Sequence, residues 1–296
     1  MQKIVPNLWF DHTAAEAAEF YSRVLPNTRV TATEYYPSEG VPDFQSSFAG
    51  QVLLVNFEVD GFEFVGINAG SQFRANPSIS FFLNFDPSRD PDAREHLDAT
   101  WSGLVDGGTE LIPLGAYGYS ERYAWVQDRF GVSWQLMLTN PAGDPRPFVV
   151  PSLMFTGGVR NRAEEALGFY ADLFTGTANV VARYPEQTQL ASAGSVTYGE
   201  LGLFGQWLAV MDSPVEHAFN FDPGVSLQVN AAGQGELDRF WAALSAVPEA
   251  EQCGWCVDRF GVSWQVVPDN LAELMTAPGA YAKLMAMKKI EISAFS

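Results

Sequence analysis

The sequence is poor in cysteine, histidine and basic residues. Its 296 residues include 2 cysteines and 3 histidines, and 17 Lys and Arg stand against 35 Asp and Glu, giving a net charge of −18. Two cysteines supply no disulfide framework, which suits a reducing compartment, and so few cations disfavour binding to nucleic acid phosphates. No apolar run is long enough to cross a bilayer, and the apolar stretch in MQKIVPNLWFDH is too short for a signal peptide. We therefore expect a cytoplasmic protein that binds neither membrane nor nucleic acid.

The two cysteines, Cys253 and Cys256, have the Cys-x-x-Cys spacing of thiol–disulfide oxidoreductases. In those enzymes the first cysteine lies at a helix N-terminus, where the helix dipole lowers the thiol pKa. Here a tight turn and a β-branched, aromatic-rich strand follow instead. The octapeptide DRFGVSWQ occurs at 128 and at 258, and on that repeat the two cysteines fall on Tyr123 and Val126 of an ordinary strand. We expect both to be small buried hydrophobic residues.

The octapeptide belongs to a duplication that covers the whole chain. PNLWF at 6–10 corresponds to PSLMF at 151–155, EAAEFYSRVL at 16–25 to EEALGFYADLF at 164–174, and HLDATWSGL at 96–104 to ELDRFWAAL at 236–244. A segment rich in proline and glycine separates the copies and has the composition of a linker. The repeat predicts a first domain at 1–140, a linker at 141–148 and a second domain at 149–296.

Each half is predicted to contain two βαβββ modules. The first has a strand at Ile4 to Phe10, a helix at Ala14 to Val24 with Thr13 as its N-cap, and strands near 29–36, 50–58 and 61–68. The second has a strand at Ser78 to Asn84, a helix from Ala93 to Leu104, and strands near 109–113, 121–127 and 132–138. The offset between the copies falls from 145 residues (6 to 151) to 130 residues (128 to 258), which predicts one reduced strand late in the second half.

Several segments resemble a known family, namely LWFDHTAAEAAEFY, FGVSWQ, EQCGWCVDRFGVSWQVVP and LMAMKKIEIS. They are similar to the PhnB-like, or 3-demethylubiquinone methyltransferase-like, branch of the glyoxalase, bleomycin-resistance and dioxygenase superfamily, also called vicinal oxygen chelate proteins. The resemblance implies an α+β fold of tandem glyoxalase-like domains, each built from two βαβββ modules that form a cup-shaped mixed sheet around a cavity. It also implies that the fused copies replace a pair of single-copy chains, so we expect a monomer or a homodimer.

Metal-using relatives hold a divalent ion in the cup with His, Glu or Gln from four strands, and their last strand reads D-P-x-G-x-x-x-E. The resemblance carries the final ligand to Gln135 and Gln265, where the relatives have Glu. The other ligand positions fall near Asn7, Asn68, Ser78, Ser152, Asp212 and Gly224, and the three histidines, His12, His96 and His217, lie on no predicted strand. A neutral amide is a poor ligand without an anionic or imidazole partner, so we expect no bound metal and no other cofactor.

The same positions are candidates for binding an organic ligand. Trp9 and Met154 share one repeat position, and His217 beside Glu216 is the best isolated acid–base candidate. Trp134 and Trp264 alternate with the two glutamines and are either pocket walls or core residues. The predicted ligand-binding set is Asn7, Trp9, Asn68, Ser78, Gln135, Ser152, Met154, Asp212, His217 and Gln265.

The leading hypothesis is a small-molecule binding or sequestering protein that holds a planar or aromatic ligand without a catalytic metal. A metal-independent enzyme that uses amide and imidazole groups is the second hypothesis. A metal-dependent lyase or dioxygenase is the third, and it requires carboxylates such as Asp212 and Glu58 in a cup. Methyl transfer is disfavoured because Gly233-Gln234-Gly235 lacks the third glycine of a nucleotide-binding turn and is expected to be a turn and helix N-cap.

Overall fold

The computed structural model describes residues 2–295 and contains four consecutive modules. The first consists of β1 (Ile4–Phe10), α1 (Ala14–Val24), β2 (Thr28–Tyr35), β3 (Val52–Val59) and β4 (Phe62–Asn68). The second consists of β5 (Ile79–Phe85), α2 (Ala93–Val105), β6 (Thr109–Tyr117), β7 (Ser120–Gln127) and β8 (Ser133–Leu138). The third consists of β9 (Val149–Phe155), α3 (Ala163–Phe174), β10 (Thr177–Arg183), β11 (Val196–Leu203) and β12 (Gln206–Asp212). The fourth consists of β13 (Val225–Ala231), α4 (Gln234–Leu244), β14 (Trp255–Val257) and β15 (Ser263–Pro268), and two short helices follow, α5 (Leu271–Leu274) and α6 (Ala280–Met285).

The predicted βαβββ order is confirmed in the first three modules. The sequence also predicted one reduced strand late in the second half, and the fourth module lacks one strand altogether.

None of the helices within residues 2–295 has both the length and the hydrophobicity that a bilayer crossing requires.

The modules share sheets across the two halves of the chain. The seven-stranded sheet has the order β14-β15-β13-β1-β4-β3-β2 and joins the first and fourth modules, whereas the eight-stranded sheet, β10-β11-β12-β9-β5-β8-β7-β6, joins the second and third. One antiparallel pair makes each junction, β1 with β13 and β5 with β9. The α+β class with mixed sheets is as predicted. The resemblance implied that the two modules of one half form a cup-shaped sheet, whereas each sheet combines one module from each half. The first strands of four similar modules offer locally equivalent edges, so long-range packing selects which two edges pair.

Within each half, the two modules pack against each other through their helix-covered faces. Phe64 of β4 contacts Phe81 of β5 with ring centroids 4.9 Å apart, and Tyr21 of α1 lies 5.4 Å from Trp134 of β8. Tyr170 of α3 packs on Trp264 of β15 in the same way, at 5.6 Å. Because strand side chains alternate, their neighbours point away from the helices. We call this second surface the open face of each sheet.

The repeated octapeptide DRFGVSWQ ties a helix to a strand in both halves. Asp128 accepts hydrogen bonds from the Tyr21 hydroxyl (2.9 Å) and the Trp134 indole (2.8 Å), and its other oxygen accepts the N–H groups of Phe130 and Val132. Asp258 repeats all four bonds in the second half. Burial raises the pKa of Asp128 to about 6. Trp134 and its second-half counterpart, Trp264, are fully buried, so these tryptophans belong to the core rather than to a pocket wall.

The C-terminal segment covers the edge that the shortened fourth module leaves. The N–H groups of Cys253 and Gly254 donate to the carbonyls of Met287 (2.7 Å) and Lys288 (2.8 Å). Ile290 is fully buried in the main core. The segment thus supplies backbone partners and a hydrophobic side chain next to β14, where an exposed sheet edge would invite association with another chain.

The two cysteines lie in this region and remain free thiols. Cys253 is half-buried in a turn, with φ of 42°, and Cys256 is buried in β14 as part of the main core. Burial raises the pKa of the Cys253 thiol to about 12 and also raises that of Cys256. A redox thiol needs a lowered pKa, so the Cys-x-x-Cys pair is a structural feature. The predicted burial is confirmed for Cys256 and is partial for Cys253.

Candidate functional site

The open face of the eight-stranded sheet carries a hydrophobic cluster that is separate from the main core. Its floor is formed by Phe82, Tyr123, Val150 and Ala209, each no more than 4% exposed. A half-buried rim surrounds the floor and consists of Ile112, Tyr117, Trp125, Met137, Tyr198, Trp207 and Met211. A buried floor with a partly exposed rim, in which four of the seven side chains are aromatic, leaves apolar surface that a small molecule can cover.

Polar groups lie at the centre of this floor. Gln135 donates from Nε2 to Ser80 Oγ (2.8 Å) and accepts the Tyr123 hydroxyl at Oε1 (2.6 Å). Ser152 stands opposite Ser80 on the neighbouring strand β9, and its buried hydroxyl has no hydrogen-bond partner among the described residues. Buried hydroxyls normally have partners, so Ser152 is a free polar group at the base of the apolar surface. The sequence-predicted residues Gln135 and Ser152 therefore come together here, although both ends of the Gln135 amide are already engaged.

One end of the face contains an ion pair between aromatic rings. Arg146, from the segment between the halves, pairs with Glu200 of β11. The centre of its guanidinium lies 5.6 Å from the ring centroid of Trp207 and 6.0 Å from that of Tyr198. The Tyr198 ring in turn meets Phe82 edge-on at 5.9 Å. Burial raises the pKa of Tyr198, and the nearby Arg146 charge opposes that rise.

Three tyrosines occupy the other end of the sheet, on the β6–β7 hairpin. Tyr117 stacks on Tyr119 at 5.8 Å, and Tyr119 meets Tyr123 edge-on at 5.2 Å. Burial raises the pKa values of both Tyr119 and Tyr123, so these phenols stay protonated at neutral pH. Tyr119 is 62% exposed, which leaves one aromatic face available to a ligand at the edge of the surface.

The open face of the seven-stranded sheet is more polar. Asn7 donates to Gln228 Oε1 (3.4 Å), Gln228 donates to Asn230 Oδ1 (2.8 Å), and Gln265 donates to Ser226 Oγ (3.0 Å). Trp9 contacts Trp255 at 6.0 Å on the same face. The predicted residues Asn7, Trp9 and Gln265 are thus brought together in the seven-stranded sheet, where a network of hydrogen-bonded amides lies beside the Trp9 and Trp255 rings.

Two predicted site residues stabilise helix starts instead. Asn68 Oδ1 accepts the N–H of Ala14 (3.0 Å) at the beginning of α1, and Asp212 Oδ1 accepts the N–H of Ala163 (3.2 Å) at the beginning of α3. Thr13 is the N-cap residue of α1, as predicted, but its side chain makes no capping hydrogen bond, and Asn68 supplies an acceptor instead. Alternation places Asn68 and Asp212 on the helix side of their strands, where the sequence alone gave no register.

Ser78 and Met154 pair where β5 meets β9. The Met154 N–H donates to the Ser78 carbonyl (2.7 Å), and both residues are almost fully buried. At the equivalent junction in the other sheet, the Trp9 N–H donates to the Gly224 carbonyl (3.0 Å). These predicted residues therefore hold the junctions between modules and lie beside the open faces.

His217 lies in the loop between β12 and β13, away from both polar networks. Its Nε2 is 2.7 Å from Ser213 Oγ, and Ser213 is 1% exposed. Burial, with a smaller effect of Arg160, lowers the pKa of His217. Glu216, the neighbouring carboxylate, pairs with Arg160 at 3.4 Å. The imidazole is therefore neutral at pH 7 and has neither a carboxylate partner nor an accessible nucleophile.

The open-face neighbours of the two glutamines follow from the strand register and the hydrogen bonds. In the eight-stranded sheet, Ala209, Ser152 and Ser80 lie side by side on neighbouring strands, and Gln135 donates a hydrogen bond to Ser80. In the seven-stranded sheet, Val65, Asn7 and Ser226 lie side by side, and Gln265 donates to Ser226. Neither set contains a carboxylate or an imidazole, and no group of three or more His, Cys, Asp or Glu within residues 2–295 could hold a metal ion. These side chains do not fit a divalent ion.

The carboxylates on which a metal-dependent activity would depend are engaged elsewhere. Asp212 lies at the start of α3, and Glu58 pairs with Arg29 at 2.7 Å.

Comparison with known proteins places the chain in one family. The sequence model of the 3-demethylubiquinone-9 3-methyltransferase family matches residues 2–137 and again 147–267. The chain belongs to this family. A PhnB protein from Bacillus cereus, described as a 3-demethylubiquinone-9 3-methyltransferase, is 29% identical over 47% of this chain and 100% of its own, with a TM-score of 0.40. No curated protein matches the chain significantly.

A second solved structure shows the tandem arrangement. Glyoxalase I from Zea mays covers 92% of this chain and 94% of its own, with 16% identity and a TM-score of 0.51. This likeness concerns the fold alone. It shows that the present chain, a member of the 3-demethylubiquinone-9 3-methyltransferase family, has a tandem glyoxalase-like fold along nearly its whole length.

The family name describes methyl transfer, but the glycine pair of this member is a helix start. Gly233 is the N-cap of α4 with φ of 82°, and Gln234 is already helical, as predicted. The preceding strand β13 pairs antiparallel with β1 and parallel with β15. A dinucleotide-type turn belongs to a unit in which the helix leads directly into the neighbouring parallel strand, whereas here α4 leads into β14, which pairs antiparallel with β15.

The repeat comparison missed the aromatic end of the open face. By register, Trp207 and Tyr198 correspond to Glu63 and Leu54 in the other sheet. Searching for positions shared by both copies hides a site that only one sheet has. A search for aromatic residues present in one copy alone would have found it.

Proposed function

We propose that the open face of the eight-stranded sheet binds a planar small molecule without the help of a metal ion. The observation that carries the proposal is the aromatic cluster on this face, which is separate from the core, partly exposed at its rim and polar at its base. Aromatic rims bury flat ligands efficiently, and a few fixed polar groups orient them. The Ser152 hydroxyl at the base has no hydrogen-bond partner among the described residues, and a ligand carbonyl or hydroxyl bonds it once the side chains that bury it move aside.

The other sheet supports this assignment by contrast. Its open face has amides that bond to one another, and the partners of Asn7, Gln228 and Gln265 are other side chains of that face. A satisfied amide network has little to gain from a ligand. We therefore assign one ligand per chain, in the sheet that the second and third modules share, and we expect the fused chain to need no second copy to complete it.

Equilibrium binding of 7-methoxycoumarin, a neutral, planar and fluorescent probe with one carbonyl, tests the proposal. Trp125 and Trp255 occupy equivalent positions opposite Gln135 and Gln265, so Trp125→Ala and Trp255→Ala form a matched pair. We expect Trp125→Ala to weaken binding by about 1–3 kcal/mol and Trp255→Ala to leave it unchanged. Equal losses in both variants, or no saturable binding by this probe or by the charged probes described below, would contradict the proposal.

A metal-independent reaction on this face is the second candidate function. It is favoured only by the protonated Tyr123, whose hydroxyl meets Gln135 at 2.6 Å and could polarise a bound carbonyl. Because this hydroxyl is already donated to the amide, binding is the better supported of the two functions.

A further inference from the structure

The ion pair at one end of the open face has the composition of a recognition site for an organic cation. Arg146 contributes a flat, positively charged group, and the protein surrounds it with the Glu200 carboxylate and the rings of Tyr198 and Trp207. Carboxylates bind planar amidinium-like cations through paired hydrogen bonds, and aromatic faces attract cations through the ring quadrupole. A ligand with the shape and charge of a guanidinium would find the same contacts.

We propose that this site binds a planar organic cation, such as an aryl amidinium, and that Arg146 occupies the position until the ligand displaces it. The inference rests on the proposed function and names the chemical class of its ligand. Arg146 lies in the Pro- and Gly-rich segment between the halves rather than in a strand, so its side chain can leave while the sheet stays intact. Glu200 and the two rings belong to strands β11 and β12, which fixes the receptor.

A cavity next to Arg146 gives the displaced side chain a destination. It has a volume of about 260 Å³, and its lining includes Arg146, Arg89, His96 and three aspartates, Asp60, Asp86 and Asp90. Asp86 pairs with Arg89 and Asp90 with His96, so Asp60 is the lining carboxylate without an ionic partner among the described residues. A guanidinium that turns from Glu200 into this cavity faces that carboxylate, so its release costs less than exposing an unpaired buried charge. The net charge of −18 also favours the approach of a cation over that of an anion.

Three probes of the same shape and different charge test the inference, namely benzamidinium, benzamide and benzoate. Their binding to the full chain is measured by calorimetry at fixed ionic strength. We expect benzamidinium to bind at least about tenfold more tightly than benzamide, because it alone bonds Glu200 as a cation, and benzoate to bind most weakly. Benzamidinium and benzamide binding equally would overturn the inference.

Two substitutions should change benzamidinium affinity in opposite directions. Arg146→Ala should tighten benzamidinium binding about tenfold because the internal competitor is gone, whereas Glu200→Gln should abolish the preference for the cation. Arg146→Gln serves as the second variant where the alanine variant folds poorly, and circular dichroism checks both. Glu58→Gln is the matched control, since Glu58 forms an ion pair with Arg29 on the other sheet.

The results separate this inference from the proposed function. Suppose that 7-methoxycoumarin binding depends on Trp125 but Arg146→Ala abolishes benzoate binding or fails to tighten benzamidinium binding. The face then binds ligands, and Arg146 does not compete with a cation there. That outcome would refute the cation site alone. If none of the four probes binds in a manner that depends on Trp125, Tyr198 or Trp207, the proposed function fails together with it.

Discussion

Replacing Asp128 by Asn perturbs the buried carboxylate at the centre of the first half. Four donors surround this carboxylate, two N–H groups of its own turn, the hydroxyl of Tyr21 and the indole of Trp134. An asparagine carbonyl can still accept the two backbone N–H groups. Its NH₂ group then faces the hydroxyl, which can rotate and accept, and the indole, which cannot. One buried donor is left unsatisfied, at a cost of about 1–3 kcal/mol.

The dependence of this cost on pH is the sharper prediction. Burial raises the pKa of Asp128 from 3.8 to about 6 in the folded protein, so between these pH values the folded state binds more protons than the unfolded state. Stability contributed by this group is therefore fully present below pH 3.8 and is lost as the pH rises through 6. A pKa difference of about 2 corresponds to about 3 kcal/mol.

Urea unfolding of the wild type and of Asp128→Asn from pH 4 to pH 7.5 measures both quantities. Because the asparagine does not titrate, the extra stability of the wild type over the variant should fall by about 2.4 kcal/mol as the pH rises from 4 to 7.5. Asp258→Asn, in the second copy of the octapeptide, should behave in the same direction, since burial raises that pKa too. If the stability difference between the wild type and the variant grows with pH, the four hydrogen bonds lower the Asp128 pKa more than burial raises it, and the reasoning is refuted.

Other predictions concern the floor of the open face, the tail and the thiols. Gln135→Leu leaves two buried groups without a hydrogen-bond partner, the hydroxyls of Tyr123 and Ser80, whereas Gln265→Leu leaves only that of Ser226. Gln135→Leu should therefore lower the free energy of unfolding by about 1–3 kcal/mol more than Gln265→Leu. Equal losses in urea titrations would contradict this. Ile290→Ala should cost about 2–5 kcal/mol, as for a fully buried side chain, and a loss below 1 kcal/mol would mean that the tail is dispensable. Replacing Cys253 and Cys256 by alanine should lower the free energy of unfolding by roughly 1–3 kcal/mol in total. It should leave 7-methoxycoumarin binding intact, because the raised thiol pKa values make both residues unreactive. If the wild type turned over a disulfide substrate and the double variant did not, this assignment would be reversed.

The sequence predicted the local elements well because their signals are local. The helix at Ala93, the turn glycine Gly233 and the strands around the octapeptides follow from periodicity and turn chemistry within a few residues. The candidate site was predicted less well. Gln135 and Ser152 do meet on one face, whereas Asn68 and Asp212 lie on the opposite side of their strands, since a shift of one residue reverses the face and no local signal sets the register.

The sequence by itself determined that the chain is a duplication of βαβββ modules, that one strand is reduced in the last module, and that Cys256 is an ordinary part of a strand. These conclusions depend on neighbours along the chain. Only the tertiary structure decided that the second and third modules share a sheet, and that Arg146, Glu200, Tyr198 and Trp207 meet on its open face. The physical reason is that the four modules offer similar edges. Which edges pair, and hence which side chains become neighbours, is selected by the packing of helix-covered faces between residues far apart in the sequence.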